Sequence, residues 1–304
     1  MSIASSPSKF TLPQKNPGVG TVLEYLLIKF PRLPEALWRE RMHDGKVHWH
    51  DGSLITPGTP YQAQARVYYY REVSSEPSIP FREEIVFEDE HILVAFKPHF
   101  LALTPGGIYV NECLQQRLRT RTGNPELQAL HRLDRVTAGL VLFAKNAQSR
   151  ALYHDLFAKR EIHKTYQAIA KLDHSSGIQT ETLVGREWVV KNHMSQGQPS
   201  FRMQVSDGPA NTHSVIRCLK QQRDRALFEL EPVTGKTHQL RVHMQSLGYP
   251  ILNDKYYPSL QEESADDYSK PLQLLAQSLV FTDPLTGEAR AFHCGTELSF
   301  SSAQ

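Results

Sequence analysis

The amino-acid sequence predicts an α+β fold with a mixed or antiparallel sheet. Strand and helix patterns do not alternate regularly along the 304 residues, and the final pattern is a hairpin, "LQLLAQSLVFTDPLTGEARAFHC". A regular strand–helix–strand alternation would instead favour a doubly wound parallel sheet. The length suits one large domain or two unequal ones.

The first 75 residues predict a flexible tail followed by a small module. Residues 1–20 are rich in Ser, Pro and Gly, which is typical of a flexible tail. Apolar spacing then predicts helices in "TVLEYLLIKF" and "PEALWRERMHDG", and the alternation around Asp51-Gly52 predicts small strands. The stretch "FPRLPEALWRERMHDGKVHWHDG" resembles an αL RNA-binding motif, although Pro34-Glu35 replaces the usual polar pair. We therefore expect an αL-like module over residues 21–75, with its contact to RNA left open.

Residues 76–304 carry the patterns expected of the main domain. Apolar strands flank Asp89-Glu90, and "GLVLFAK" is a continuous apolar run that predicts a strand buried on both faces. A helix is predicted in "AQSRALYHDLFAKREI", and strands are predicted in "KTYQAIAKL" and "RALFELEPVTG". The stretch "KTHQLRVHMQSLG" predicts a helix that ends at Gly248 and is capped by Thr237.

Composition excludes several classes of protein. Apolar residues make up 40% and charged residues 22%, which is typical of a globular chain, and no apolar run is long enough for a transmembrane helix. The N-terminus lacks the apolar region of a signal peptide. The three cysteines are widely spaced, so neither a disulfide framework nor a zinc site is expected. These features favour a cytoplasmic protein.

Positive charge is concentrated in one segment, although the formal net charge is only +2. Residues 116–171 contain eleven Lys or Arg against four Asp or Glu, an excess of seven positive charges. The remainder of the chain therefore carries five negative charges in excess. Such an asymmetry is typical of a face that binds phosphates, and it is equally typical of solvated helix faces.

The stretch "HRLDRVTAGLVLFAKN" places Asp134 between Arg132 and Arg135, immediately before the buried strand. Neighbouring guanidinium groups stabilise a negatively charged carboxylate, which suits a nucleophile or a base better than a general acid. Gly139 can bend the backbone tightly at the start of the strand. The alternative is a surface Arg–Asp–Arg salt-bridge loop worth about 0–1 kcal/mol.

The stretch "VTGKTHQLRVHMQSLGYPILND" contains a second candidate site. A P-loop is excluded because Leu230 stands where that motif requires Gly. His238 and Arg241 share a predicted helix face, and a cation in the first turn opposes the helix dipole. Arg241 is therefore expected to have a carboxylate or phosphate partner. His238 and His243 are five residues apart, which does not suit two zinc ligands on one face, and no metal site is predicted.

Together these segments resemble the RluA-type pseudouridine synthases, which isomerise uridine in structured RNA. The resemblance is carried by "ILVAFKPHFLALTPGG", "ALHRLDRVTAGLVLFAK", "KTYQAI" and "GKTHQLRVHMQSLGYPILNDKYY", in that order. It implies the pseudouridine-synthase fold, with a mixed, largely antiparallel sheet and a central catalytic cleft. It also implies that RNA is the partner and that neither a metal nor an organic cofactor is needed.

The resemblance implies a role for each matched residue. Asp134 would be catalytic and Arg241 would be its ion-pair partner. Tyr166 would stack on or abut the target base, and Leu240 would belong to the apolar wall of the pocket. Arg132 would lie near the site and could occupy the space that the flipped uridine leaves. Further substrate contacts are expected at Lys236 and His238.

Several positions depart from the family pattern. Lys236 stands where Arg is usual, Asn253 where Gly is usual, Leu275 where His is common and Ala138 where Ser is common. Ribosomal RNA is the first expected substrate, transfer RNA the alternative, and a non-catalytic RNA-binding protein the alternative class. A glycosidase is disfavoured because no second carboxylate motif lies near Asp134. The sequence does not decide the oligomeric state, and we expect a monomer.

Overall fold

The computed structural model describes residues 2–172, 182–298 and 300. Its five helices in this part of the chain are α1 Val22–Lys29, α2 Glu35–His43, α3 Leu114–Thr122, α4 Ala147–Lys159 and α5 Gln239–Ser246. None of the helices in the described ranges is long and apolar enough to cross a membrane.

The strands are numbered in chain order. They are β1 Ser2–Ile3, β2 Ser8–Thr11, β3 Val47–Trp49, β4 Arg66–Tyr69, β5 Glu72–Val73, β6 Glu84–Glu88, β7 Ile92–Lys97, β8 Gln128–Ala129, β9 Ala138–Ala144, β10 His163–Lys171, β11 Glu187–Gln196, β12 Met203–Ser206, β13 Thr212–Gln222, β14 Arg225–Pro232, β15 Leu274–Thr282 and β16 Ala289–His293.

The chain divides into two compact units. The small unit contains Met1–Ser78 and Pro105–Glu112, and the large unit contains Ile79–Thr104 and Cys113–Gln304. In the small unit, α1 and α2 pack on the three-stranded sheet β2-β4-β3, with Trp38 and Val67 fully buried.

Strand β2 lies within the segment expected to be a flexible tail, and this differs from the prediction. The physical reason is burial: Leu12, just after β2, is 1% exposed and Phe10 packs on the same core.

The large unit is built on an eleven-stranded sheet of the described residues. Its main path runs β12-β11-β13-β14-β10-β15-β9-β7-β6, with β16 paired to β15 and β8 paired to β9. The described strand pairs are antiparallel except β15 with β9, which are parallel. This confirms the predicted α+β fold with a mixed, largely antiparallel sheet. All seven residues of β9 are buried, as the run "GLVLFAK" predicted for a strand covered on both faces.

The parallel junction between β9 and β15 requires a glycine. Gly139 lies opposite Ala276 and has φ +123°, in the region that favours glycine. A Cβ at Gly139 would lie 2.3 Å from the carbonyl oxygen of Ala276. The backbones can therefore approach closely only because residue 139 has no side chain, and this approach fixes the direction in which β9 leaves the preceding loop.

Two apolar cores flank that loop. One contains Leu240 and Met244 of α5 with residues of β10, β13 and β14, and the other contains Tyr153 of α4 with residues of β7, β9 and β15. Residues 130–137, which we call the Asp134 loop, join the two. Leu133 and Val136 pack against the first core, whereas Leu130 is buried in the second. The loop is thus anchored on both sides of Asp134.

Candidate active site

The Asp134 loop is held by hydrogen bonds to the strand that follows it. The Leu130 amide donates to the carbonyl oxygen of Leu142 at 2.9 Å, and the Leu142 amide donates to Nε2 of His131 at 3.1 Å. Burial and the positive charge of Lys164 lower the pKa of His131 from 6.5 to about 3. A neutral imidazole can accept the amide hydrogen, so this support is complete at neutral pH.

A buried lysine holds the other side of the loop. Lys97, at the end of β7, is fully buried, and its Nζ donates to the carbonyl oxygens of Pro98, Leu101 and Arg135 at 2.8–2.9 Å. Burial lowers the pKa of Lys97 well below its usual value, against the opposing effect of the Asp134 charge. All three N–H donors of the ammonium group have an acceptor, which restrains the backbone directly after Asp134.

Arg241 is shared by two carboxylates. Its Nε and Nη2 each donate to Asp254 at 2.7 Å, and its Nη1 donates to Oδ2 of Asp134 at 3.2 Å. Arg241 is 3% exposed and the Asp254 side chain is fully buried, whereas the Asp134 side chain is 29% exposed. The anionic partner predicted from the helix position is therefore two aspartates, and only one of them reaches solvent.

Asp254 is positioned by its own backbone. Its Oδ1 accepts the amide hydrogens of Tyr256 at 2.8 Å and Tyr257 at 3.2 Å. The guanidinium carbon of Arg241 lies 5.0 Å and 5.3 Å from the centres of the same two rings. The bidentate pair orients the guanidinium plane, so that the remaining nitrogen points at Asp134.

The turn before α5 differs from its predicted cap. The N-cap of α5 is His238, in the left-handed conformation with φ +54°, and no side chain caps the helix there. Thr237 was expected as the cap, and that prediction is wrong. The Gln239 side chain organises the turn instead, because its Oε1 accepts hydrogen bonds from the Lys236 amide at 3.1 Å and the Thr234 hydroxyl at 2.8 Å.

His238 lies beside the candidate catalytic carboxylate. Its Nε2 is 3.8 Å from Oδ2 of Asp134, and its Nδ1 is hydrogen-bonded to the Tyr257 hydroxyl at 3.0 Å. Burial lowers the pKa of His238 below 6.5, against the opposing negative charge of Asp134. Burial thus favours the neutral imidazole, which extends the polar network around Asp134.

One cleft of about 760 Å³ is lined by all seven site residues predicted from the sequence. They are Arg132, Asp134, Tyr166, Lys236, His238, Leu240 and Arg241. Tyr166 comes from β10 and is 8% exposed. Burial, and secondarily the negative charge of Asp134, raise the pKa of the Tyr166 phenol. The cleft thus brings a carboxylate, a cation and a neutral aromatic ring together.

The cations of the basic segment 116–171 fall into two groups, those with acidic partners and those that line the cleft. Many of its cations have partners within the protein: Arg117 with Glu83, Arg135 with Asp266, and Lys145 with Glu88. The cleft is lined instead by Arg132, Arg160 and Lys164 from this segment and by Lys236 from outside it. Within the described ranges no carboxylate forms an ion pair with any of these four, so their charges face the cleft.

A second cavity, of about 910 Å³, adjoins the Asp134 loop. It shares Arg132, Asp134 and Arg241 with the first cleft, but Glu262 and Glu263 also line it. Arg135 donates to both oxygens of Asp266 in this region, at 2.6 Å and 3.0 Å. The two openings beside Asp134 therefore differ in charge, and the cleft with the free cations suits an anionic ligand.

Sequence reasoning missed Asp254, Lys97 and Asp266. Asp254 is the last residue of the quoted stretch "ILND". The signal available in the sequence was an Asp two residues before a pair of tyrosines, whose amides its side chain accepts in the structure. At Asn253, where the family pattern has Gly, φ is +64° and the side chain donates to the carbonyl oxygen of Pro271 at 3.0 Å. The left-handed conformation is retained because asparagine tolerates it.

The chain is similar to known proteins over most of its length. The model of the RNA pseudouridylate synthase family matches residues 91–246. The chain is 34% identical to a dual-specificity RNA pseudouridine synthase RluA of Vibrio vulnificus, over 68% of this chain and 80% of that protein. It is 28% identical to the ribosomal large subunit pseudouridine synthase C of Haemophilus influenzae, over 97% of this chain and 93% of that protein.

A solved structure shares the fold. The human RNA pseudouridylate synthase domain containing 1 superposes with a TM-score of 0.57, at 22% sequence identity, over 73% of this chain and 86% of that one. At this level of identity the likeness concerns the fold. It agrees with the large, mostly antiparallel sheet.

Proposed function

Because the chain belongs to the RNA pseudouridylate synthase family, and so is an isomerase that converts uridine to pseudouridine in RNA, we propose that it modifies ribosomal RNA with Asp134 as its catalytic residue. The alignment with a ribosomal large subunit enzyme over 97% of the chain supports this substrate, since it includes the small unit. Transfer RNA is the second candidate. We expect the enzyme to act in the cytoplasm as a monomer.

The observation that carries the proposal is the meeting of three groups in one cleft. The Asp134 carboxylate accepts a hydrogen bond from Arg241 at 3.2 Å, and Tyr166 lines the same 760 Å³ space. Asp134 keeps 29% of its side chain exposed, so a ligand can reach it. A carboxylate that is charged, oriented and accessible is what chemistry at a sugar carbon requires.

The proposed reaction exchanges one bond to the sugar for another. The bond from uracil N1 to C1′ of ribose breaks, the base turns, and a bond from C5 to C1′ forms. The proton on C5 leaves and N1 takes up a proton, so the formula is unchanged and no electron donor is needed. Asp134 either attacks the sugar covalently or removes a proton as the base departs, and both routes use the negatively charged carboxylate.

The target uridine must leave its stack before Asp134 can reach it. Flipping a base out costs a few kcal/mol. We propose that Tyr166 stacks on the flipped base, that Leu240 supplies the apolar wall and that Arg132 fills the vacated space. The neutral phenol of Tyr166 and the 7% exposure of Leu240 support these roles.

The phosphates of the RNA would be held by the cations that have no acidic partner. Lys164, Lys236 and Arg160 line the cleft, and each can neutralise a phosphate without first breaking an ion pair in the described part of the protein. His238 would add a hydrogen bond near Asp134. The adjoining cavity is lined by five carboxylates and five Lys or Arg, whereas the cleft is lined by one carboxylate and five Lys or Arg, so the backbone would be drawn to the cleft.

A pseudouridine map of cellular RNA tests the proposal. Cells that lack this protein should lose pseudouridine at specific positions of ribosomal RNA, and the wild-type gene should restore them. A gene that encodes Asp134→Ala should not. Loss confined to transfer RNA would overturn the choice of substrate, and restoration by Asp134→Ala would overturn the assignment of the catalytic residue.

A further inference from the structure

The small unit presents a second aromatic surface that the cleft does not use. In the sheet β2-β4-β3, alternate residues point to opposite faces, and Val47, Val67 and Phe10 occupy the core face. The other face carries seven side chains, which we call the Tyr68 face: Lys9, Thr11, His48, His50, Arg66, Tyr68 and Tyr70. Rings on the solvent side of a sheet are not explained by core packing.

The rings of the Tyr68 face are arranged as a stack. Tyr68 lies 5.4 Å from His48 with 14° between the planes, and 5.7 Å from His50 with 27° between the planes. His50 is exposed, and its Nδ1 is hydrogen-bonded to the Tyr68 hydroxyl at 2.9 Å. Tyr70 lies 6.1 Å from His48. Nearly parallel rings that are partly open to solvent form a platform on which another flat ring can stack.

The charge of this face is one-sided. Register places Lys9 and His48 on either side of Tyr68, and it places Arg66 opposite Thr11 on the neighbouring row. Lys9 and Arg66 are exposed, and neither forms an ion pair with a described residue. None of the outward positions on these three strands, all of which lie in the described ranges, holds a carboxylate. On the strands, phosphates would therefore meet attraction without a competing anion, and the carboxylate of Asp51, next to His50, lies in the turn beyond them.

We propose that the Tyr68 face binds an unpaired segment of the RNA substrate, by stacking bases on His48 and Tyr68 and by pairing phosphates with Lys9 and Arg66. Aromatic side chains bind unpaired bases in this way, whereas bases within a duplex do not expose their faces. The inference rests on the proposed function for the identity of its partner. It assigns RNA contact to the sheet of the small unit.

The structural alternative is that the rings only stabilise the sheet, since cross-strand aromatic pairs do so. The two explanations differ in what they predict for affinity. A purely structural stack would change the melting temperature and leave the dissociation constant for RNA unaltered. A docking face would change the dissociation constant for single-stranded RNA more than that for a duplex.

Fluorescence anisotropy with the full chain separates them. The probes are a labelled single-stranded, uridine-rich RNA of about ten nucleotides and a duplex of the same length. Tyr68→Ala should bind the single strand about tenfold more weakly, Tyr68→Phe should bind it as the wild type does, and duplex binding should change less. With a ribosomal RNA fragment as substrate, Tyr68→Ala should raise KM and leave kcat unchanged.

Charge is tested by a matched pair of lysines. Lys9→Ala should lower the slope of log Kd against log salt by about one, whereas Lys15→Ala, an exposed lysine in the same unit, should not.

Photo-crosslinking with 4-thiouridine RNA, mapped by mass spectrometry, should place a crosslink on the peptide that carries His48 or Tyr68. If Tyr68→Ala fails to fold, His50→Ala serves as the second ring variant, because His50 is exposed and outside the strand.

Equal affinity of folded Tyr68→Ala or His50→Ala and the wild type for the single strand would overturn the proposal. An equal loss for single strand and duplex would do the same, because it would exclude stacking. If the wild type formed no pseudouridine in any RNA, the proposed function would fail, while the anisotropy and crosslinking results would still decide the role of the Tyr68 face.

Discussion

Two carboxylates contact the same guanidinium group, and their surroundings differ. Asp254 is fully buried, receives two bonds of 2.7 Å from Arg241 and accepts two backbone amides. Asp134 is 29% exposed and receives one bond of 3.2 Å from Arg241. One aspartate has nearly all of its acceptor capacity used, and the other retains free oxygen lone pairs in a cleft.

The difference separates a structural carboxylate from a reactive one. A buried ion pair contributes most when its hydrogen bonds are complete, and removing one partner leaves an uncompensated charge. A partly exposed carboxylate with a single partner can bind a substrate without first losing its own hydrogen bonds. Asp254 therefore orients Arg241, and Arg241 orients Asp134.

Asp134→Asn tests whether Asp134 is the reactive carboxylate. The isosteric amide removes the charge and keeps the shape, so we expect kcat/KM to fall by about 10³-fold or more. The melting temperature and the dissociation constant for RNA should remain close to those of the wild type. Tritium release from C5 of labelled uridine measures the rate. An amide variant that retained one tenth of the wild-type rate would contradict the assignment.

Asp254→Asn tests whether Asp254 is the structural carboxylate that orients Arg241. It removes the charge that compensates the buried guanidinium and replaces one acceptor oxygen by an N–H donor that faces Arg241, so we expect the free energy of unfolding to fall by about 3–5 kcal/mol. Urea denaturation measures this value. The control is Asp207→Asn, an exposed aspartate that should change stability by less than about 0.5 kcal/mol. If Asp254→Asn were as stable as the control, Arg241 would not depend on Asp254.

Acid should weaken the support of Asp134 more than that of Asp254. His131 and His99 hold the Asp134 loop, and burial lowers their pKa values from 6.5 to about 3 and about 4. The unfolded chain therefore binds protons at a higher pH than the folded chain does. Stability is complete above about pH 6.5 and is lost as the pH falls towards 4. The backbone amides that hold Asp254 do not titrate in this range.

The pH effect is measurable by urea denaturation at pH 7 and pH 5. Each buried histidine should cost up to about 2 kcal/mol over this interval. His131→Gln keeps an acceptor for the Leu142 amide and should flatten the dependence, while exposed His154→Gln should not. A wild-type free energy of unfolding that is the same at both pH values would show that these histidines do not control the stability of the loop.

The smallest effect is expected at the cleft lysines. Lys236→Ala should raise Kd for RNA by tenfold or less and lower its salt slope by about one, with kcat unchanged. Lys255 provides the matched lysine on the Asp254 side, where it donates to Ser264 and Ala265. Lys255→Ala should leave the salt slope unaltered. Equal slopes for both variants would show that the RNA backbone does not distinguish the two cavities.

Much of the large unit could be predicted from local patterns. The strands β7, β9, β10 and β14 and the helices α4 and α5 lie where apolar periodicity placed them, because each buries a continuous face or both faces. No strand was predicted for residues 187–206. In β11 exposed and partly buried residues alternate, and Lys191, Asn192 and His193 interrupt the apolar pattern. An edge hairpin buries too little to impose a clear period.

The turn before α5 shows a second feature that local sequence patterns do not predict. Thr237 had the residue type of an N-cap, but His238 takes that position because the Gln239 side chain bonds the preceding backbone. The count of charged residues in 116–171 was likewise only partly informative. It correctly identified an excess of cations, but ion pairs across the fold decide which of them remain available in the cleft.

Local sequence patterns were enough to predict that Asp134 precedes a strand buried on both faces, that Arg241 needs an anion, and which family the motifs resemble. Periodicity, helix dipoles and motif spacing act over a few residues, so these properties can be read from the chain alone. The fold was needed to show that Arg241, 107 residues from Asp134, is shared with Asp254. That pairing depends on the approach of β9 to β15 at Gly139 and on burial of the guanidinium, and no local pattern encodes either distance.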